Sequence, residues 1–180
     1  MSSTLLLDDL IALSRIRWTM ALLADLAAHR GARFVELAHR LALPRDSLAR
    51  TLRAAGAVGW VMRNPGHGHP LRPEYVLTLE GARLAAGAEP LLAAQAQLGL
   101  LPGTLTCWGM PLILTIGSGH SRFNEIAETL ATATPRAISQ GLQTLTANDL
   151  VLRHVLDGRP SASLYRLTPN GTLLAEAVRN

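Results

Sequence analysis

Residues 122–153 read RFNEIAETLATATPRAISQGLQTLTANDLVLR, and this stretch decides the fold. Within it Ile138, Leu142 and Leu145 recur at i, i+4 and i+7, the spacing of one buried stripe on a helix. Thr134 and Pro135 stand just ahead of that stripe. A threonine hydroxyl suits a helix N-cap, and proline suits the first helical turn. A shorter helical segment opens at Arg122-Phe123-Asn124-Glu125-Ile126, and a turn separates the two. Downstream, Leu150–His154 and Leu164–Leu167 read as short strands around the turn residues Asp157-Gly158-Arg159-Pro160. Thr168 then reads as the cap of a closing helix.

Working outward, the same order is found earlier in the chain. Trp18-Thr19-Met20 matches Trp108-Gly109-Met110, and Arg33-Phe34-Val35-Glu36-Leu37 matches Arg122 to Ile126. Val61-Met62-Arg63 matches Val151-Leu152-Arg153. Tyr75, Leu77, Thr78 and Gly81 return as Tyr165, Leu167, Thr168 and Gly171. The offset is 90 residues at both ends of the unit and slips to 89 around Phe34, at places expected to be turns. In the first copy the pattern predicts helices over about 19–29, 34–41 and 45–57. Strands are expected at 60–63 and 75–77, with Thr78 as the next cap. A fixed-period repeat is an architectural signal before it is a functional one.

Helix, helix, turn, helix, hairpin, helix is the winged helix-turn-helix order. The expected fold is therefore mainly α with small β-hairpin wings (α+β): two tandem winged helix-turn-helix domains, 1–90 and 91–180, in a pseudo-dimeric arrangement. The RFNEI segment, the Asn148-Asp149-Leu150-Val151 approach to the wing, and the Tyr165-x-Leu167-Thr168-x-x-Gly171 exit resemble the HxlR family of bacterial regulators. The resemblance covers nearly the whole chain, twice. It implies sequence-specific binding of double-stranded DNA. Such proteins usually carry one domain and dimerise through terminal helices. The fused pair is expected to build that contact within one chain, through an N-terminal helix at about 4–14 and a helical linker at about 84–103. Family members often carry a cysteine well upstream of the tryptophan. Leu5 stands near that place here, while the single cysteine, Cys107, directly precedes Trp108, so a thiol switch is not carried over.

The third helix of each copy is the expected reader. In copy one Leu48, Leu52 and Ala55 form the core stripe, leaving Arg45, Asp46, Ser47, Arg50 and Arg53 outside or flanking. In copy two the corresponding residues are Arg136, Ser139, Gln140 and Gln143. Arginine pairs with guanine, glutamine with adenine, and serine with phosphate or base. The wings add Arg63, His67, His69 and Arg72 in one copy, and Arg153, His154 and Arg159 in the other. Arg63 and Arg153 match across the repeat, which fits a shared phosphate contact; a structural ion pair within each copy is the alternative.

Composition bounds the remaining choices. All 17 basic residues are arginine, against 13 acids, and the excess of +4 favours an anionic partner. One cysteine excludes an internal disulfide, and no 18-residue apolar run exists to span a membrane. Acidic residues in MSSTLLLDDL stand where a secretory signal would be basic, so a cytoplasmic protein is expected. No nucleophile–base set, phosphate loop or dinucleotide fingerprint is present, so neither an enzyme nor a cofactor is expected. His67-x-His69 lacks the cysteine or acidic company of a metal site. The competing readings are a tandem winged-helix scaffold for protein–protein contact and an effector- or redox-gated regulator with a small-molecule ligand. Self-association beyond the intrachain pair is left open.

Overall fold

A computed structural model describes residues 5–66, 73–156 and 162–179. Helix α1 (Leu7–Ser14) leads into α2 (Thr19–Ala28), α3 (Phe34–Arg40) and α4 (Arg45–Ala57). Strands β1 (Val61–Arg63) and β2 (Tyr75–Leu77) form the first wing, closed by the long helix α5 (Leu79–Gln97). The second copy runs α6 (Gly109–Gly117), α7 (Phe123–Thr129), α8 (Pro135–Ala147), β3 (Val151–Leu156), β4 (Ala162–Leu167) and α9 (Pro169–Arg179). Each wing is a two-stranded antiparallel sheet, with Arg63 opposite Tyr75 and Arg153 opposite Tyr165. The fold is a tandem winged helix-turn-helix pair.

The repeated motifs have local physical causes. In the RFNEI-type segments, Glu36 accepts a hydrogen bond from the Arg33 backbone N–H at 2.7 Å, and Glu125 accepts from Arg122 at 3.0 Å. Each glutamate thus satisfies a donor that the start of its helix leaves open. The exit motif is a junction. Thr78 Oγ1 donates to the Gly59 carbonyl and accepts from the Gly81 N–H, and Thr168 does the same with Asp149 and Gly171. The closing helix then lies so near the wing that a Cβ on Gly81 would come 1.9 Å from the Trp60 carbonyl oxygen. On Gly171 it would come 2.1 Å from that of Leu150. Only glycine leaves room for the carbonyl at that place.

The slip in the repeat falls in two turns. Between α2 and α3 the first copy places both Arg30 and Gly31 at positive φ, where the second has Gly119 alone. Between α3 and α4 four residues (41–44) stand against five (130–134) in the second copy. Two boundaries differ from the sequence expectation. The second hairpin is longer, because Val155 and Leu156 pair with Ser163 and Ala162 and carry the ladder past His154. Helix α5 ends at Gln97 rather than near 103, with Gly99 and Gly103 at positive φ.

The core is aliphatic and continuous through both copies. Leu48, Leu52 and Ala55 of α4 and Ile138, Leu142 and Leu145 of α8 are all buried, as their spacing predicts. Helix α1 packs between α2 of its own copy and α6 of the other, burying Leu10 and Leu13. Helix α5 packs on α2 and on α9, so terminal helices join the copies. Arg83 of α5 clamps α1 through Asp9, with nitrogen–oxygen distances of 2.7 and 3.1 Å. That guanidinium holds the Asp9 carboxyl below its ordinary value. Among the described residues no helix is long and apolar enough to cross a membrane.

Candidate nucleic-acid interface

The buried stripe of α4 turns its other face outward. Arg45, Arg50 and Arg53 are exposed and Ser47 is half-buried. The Arg45 guanidinium lies over the Phe34 ring at 5.4 Å, which steadies it at the start of the helix. Thr51, on the buried side, donates to the Ser47 carbonyl at 2.8 Å. Arg50 and Arg53 have no hydrogen bond or ion pair among the described residues. They are positive charges held on a rigid helix with no internal use.

Helix α8 presents a different surface from the same position. Arg136, Ser139, Gln140 and Gln143 are exposed, so its outward face is mostly neutral. Thr134 accepts from the Ala137 N–H, and Pro135 opens the helix, as the sequence indicates. Gly141 faces inward, where a Cβ would come 2.4 Å from Leu112 Cδ1. Here α8 lies closer on α6 than a side chain would permit.

The wings bring a second set of residues near α4 and α8. Arg63 Nη2 donates to Glu74 Oε1 at 2.6 Å, an ion pair across the hairpin. Its counterpart Arg153 donates through Nε to Ser163 Oγ at 3.0 Å and has no carboxylate partner among the described residues. Arg153 and Tyr165 also line one cleft with Ser139, Gln143 and Thr146, so the wing and α8 share a surface in copy two. His154 is exposed. His67, His69, Arg72 and Arg159 lie outside the described residues, as do both hairpin tips.

The local electrostatics follow from these contacts. The Glu74 carboxylate raises the Arg63 pKa, and burial raises that of Tyr75 beside it. Backbone N–H groups of Arg122 and Ser121 hold Glu125 below its ordinary value. Among the described residues no group of three or more His, Cys, Asp or Glu side chains could hold a metal ion. The surface presents arginine cations on α4 and mostly neutral amides and hydroxyls on α8. Glu74 and Ser163 are the functional neighbours that the sequence reading missed. Glu74 stands just ahead of β2, one place before Tyr75, and Ser163 lies on β4 two places before Tyr165, a signal visible only once the hairpin register is known.

Comparison with known proteins gives this surface its context. The HxlR-like helix-turn-helix family matches residues 14–98 and again residues 106–180. A curated relative, the HTH-type transcriptional regulator YodB of Bacillus subtilis, is 34% identical over 67 residues. That match covers 37% of this chain and 60% of YodB, less than two thirds of that regulator's length. The diamide-treated form of YodB has 31% identity and a TM-score of 0.38, over 48% of this chain and 80% of that one. A MarR-family regulator structure from Enterococcus faecalis V583 has 24% identity and a TM-score of 0.40, over 50% and 76% of the two chains. With two matches that together span most of its length, the chain belongs to the HxlR-like helix-turn-helix family.

Proposed function

We propose that the protein is a sequence-specific DNA-binding transcriptional regulator that presents two non-identical recognition helices from one chain. The observation that carries this is the pair α4 and α8. Both occupy the third-helix position of a helix-turn-helix unit, and both turn polar residues outward. In this reading domain 1 spans 1–90 and domain 2 spans 91–180. Arg50 and Arg53 read guanine-rich edges, Gln140 and Gln143 read adenine, and Arg45, Ser47, Arg136 and Ser139 contact phosphate or flanking bases. Arg153 supplies the wing contact in copy two. The protein acts in the cytoplasm, where its operator lies.

Electrophoretic shift on genomic fragments at about 50 and 200 mM salt tests the reading. A DNA reader with several phosphate contacts loses affinity steeply between the two, by about three orders of magnitude. Weak binding that barely changes with salt would overturn it. A second reading applies to copy two alone. Leu152, Val155 and Leu156 are exposed on β3 at 47%, 60% and 40%, beside a largely neutral α8. An apolar strand of that kind suits a protein contact better than a phosphate backbone. Operator affinity unchanged by Gln140→Ala and Gln143→Ala together would favour it.

A further inference from the structure

The repeat is incomplete at one place. Counting 90 residues on from α1 gives residues 97–104, and these carry no helix beyond Gln97. Helix α1 packs on α6, where Met110 and Pro111 are buried. Their counterparts on α2, Met20 and Ala21, stay half-buried, because no second α1 covers them. A cleft of about 350 Å³ occupies that position. Its walls are repeat-mates: Arg15 and Leu105, Arg17 and Cys107, Met20 and Met110. It therefore lies on the seam between the two copies.

The two walls differ in charge. Copy one contributes two guanidiniums, while copy two contributes apolar and neutral side chains. Among the described residues no acidic side chain lines the cleft. Neither Arg15 nor Arg17 makes an ion pair among the described residues, and Arg17 lies over the Trp18 ring at 4.9 Å. Gly103 lets Arg17 lie against the loop, since a Cβ there would come 2.1 Å from its Nε. A cleft of this size is within the range of small-molecule sites, which pair an apolar lining with a few placed polar groups. We infer that the seam cleft binds a small organic anion with an apolar body, its charged group between Arg15 and Arg17 and its body against Met20, Leu105 and Met110.

The inference goes beyond the DNA reading and is tested without DNA. The full chain is titrated with anilinonaphthalene sulfonate, an aryl anion, and with phenylnaphthylamine, which has the same apolar body and no charge. The expected result is one saturable site that binds the sulfonate about tenfold more tightly than the neutral probe, the step that one good charge contact supplies. Arg15→Gln with Arg17→Gln should remove that tenfold preference and leave the neutral probe unchanged. Both residues are exposed on the surface, so the variant keeps its fold, which an unshifted melting curve checks. Ala21→Phe should fill the cleft and abolish both. Equal sulfonate affinity in wild type and the double arginine variant would overturn the inference. So would binding that survives Ala21→Phe, or no saturable site at all.

Discussion

The two copies share a scaffold and differ in how they use charge. Copy one ties α3 to α2 through Arg40, whose Nε and Nη2 donate to Asp25 at 2.8 and 2.7 Å. The same places in copy two are Thr129 and Thr115; Thr129 Oγ1 donates to the Glu125 carbonyl, and Thr115 Oγ1 is buried with no partner among the described residues. Copy one pairs Arg63 with Glu74, and copy two meets Arg153 with a serine. Arg50 and Arg53 face Gln140 and Gln143 across the repeat. What both copies keep are the capping threonines, the capping glutamates and the junction glycines. The fold requires those groups for backbone geometry, while it tolerates ions or neutral groups elsewhere. Charge is therefore the part of the molecule free to diverge, and the outward faces of α4 and α8 diverge with it.

The largest expected effect tests the shared part. Gly81→Ala and Gly171→Ala should each destabilise the chain by about 3 kcal/mol, measured by urea unfolding. Alanine would favour a helix by about 1 kcal/mol over glycine, so a loss means that the clash with the wing carbonyl dominates. If either substitution stabilises the protein, the two junctions are not equivalent and the comparison fails at its base. Next come the ties between the second and third elements. Arg40→Ala should cost about 2 kcal/mol, since it takes the two guanidinium hydrogen bonds from Asp25, only 9% exposed at its side chain, and leaves it only His29 at 3.6 Å. Thr115→Val should stabilise copy two by about 1 kcal/mol, because it removes a buried hydroxyl that has no acceptor. Thermal melts of the two variants should move in opposite directions.

A third pair sharpens the comparison on DNA. Arg50→Ala should cost about 1–3 kcal/mol of operator binding and relax one half-site. Gln140→Ala should relax the other half-site and leave the salt slope unchanged, since a neutral amide displaces no counterion. Selection from a library of operator variants at two salt concentrations measures both. A palindromic site, altered equally in both halves by either change, would show that two whole chains bind through one copy each.

Much of this molecule is legible in its residues because the signals are local. Thr134-Pro135 marks the start of α8, Thr78 and Thr168 cap the helices they precede, and the apolar spacing of Leu48, Leu52 and Ala55 marks a buried face. The outward faces of α4 and α8 follow from the same periodicity by subtraction. What escaped the reading depends on contacts between distant segments. Arg83 meets Asp9 across 74 positions and Arg40 meets Asp25 across 15, and no periodicity encodes either. The end of α5 at Gln97 escaped too, because the Ala- and Leu-rich run continues in character while Gly99 and Gly103 turn the backbone. The seam cleft had a faint signal: Ser14-Arg15-Ile16-Arg17 carries two charges where Thr104-Leu105-Thr106-Cys107 carries none. Its meaning needed the missing second α1.

The smallest expected effect separates the two wings. Arg63 and Arg153 hold the same register position, opposite Tyr75 and Tyr165, so position alone assigns them one role. Their partners do not. Arg63 meets a carboxylate, and an exposed pair of this kind adds little to stability. Among the described residues Arg153 meets only a hydroxyl, which leaves its charge available to a phosphate. Arg153→Ala should therefore weaken binding to every sequence alike and lower the salt slope by about one unit. Arg63→Ala should alter the slope less, because Glu74 already neutralises that charge on the free protein. Glu74→Gln sharpens the test: freeing Arg63 should strengthen binding at low salt and steepen the slope. If Arg63→Ala and Arg153→Ala lower the slope equally, the carboxylate has no influence on the wing, and the two hairpins contact DNA in the same way despite their different partners.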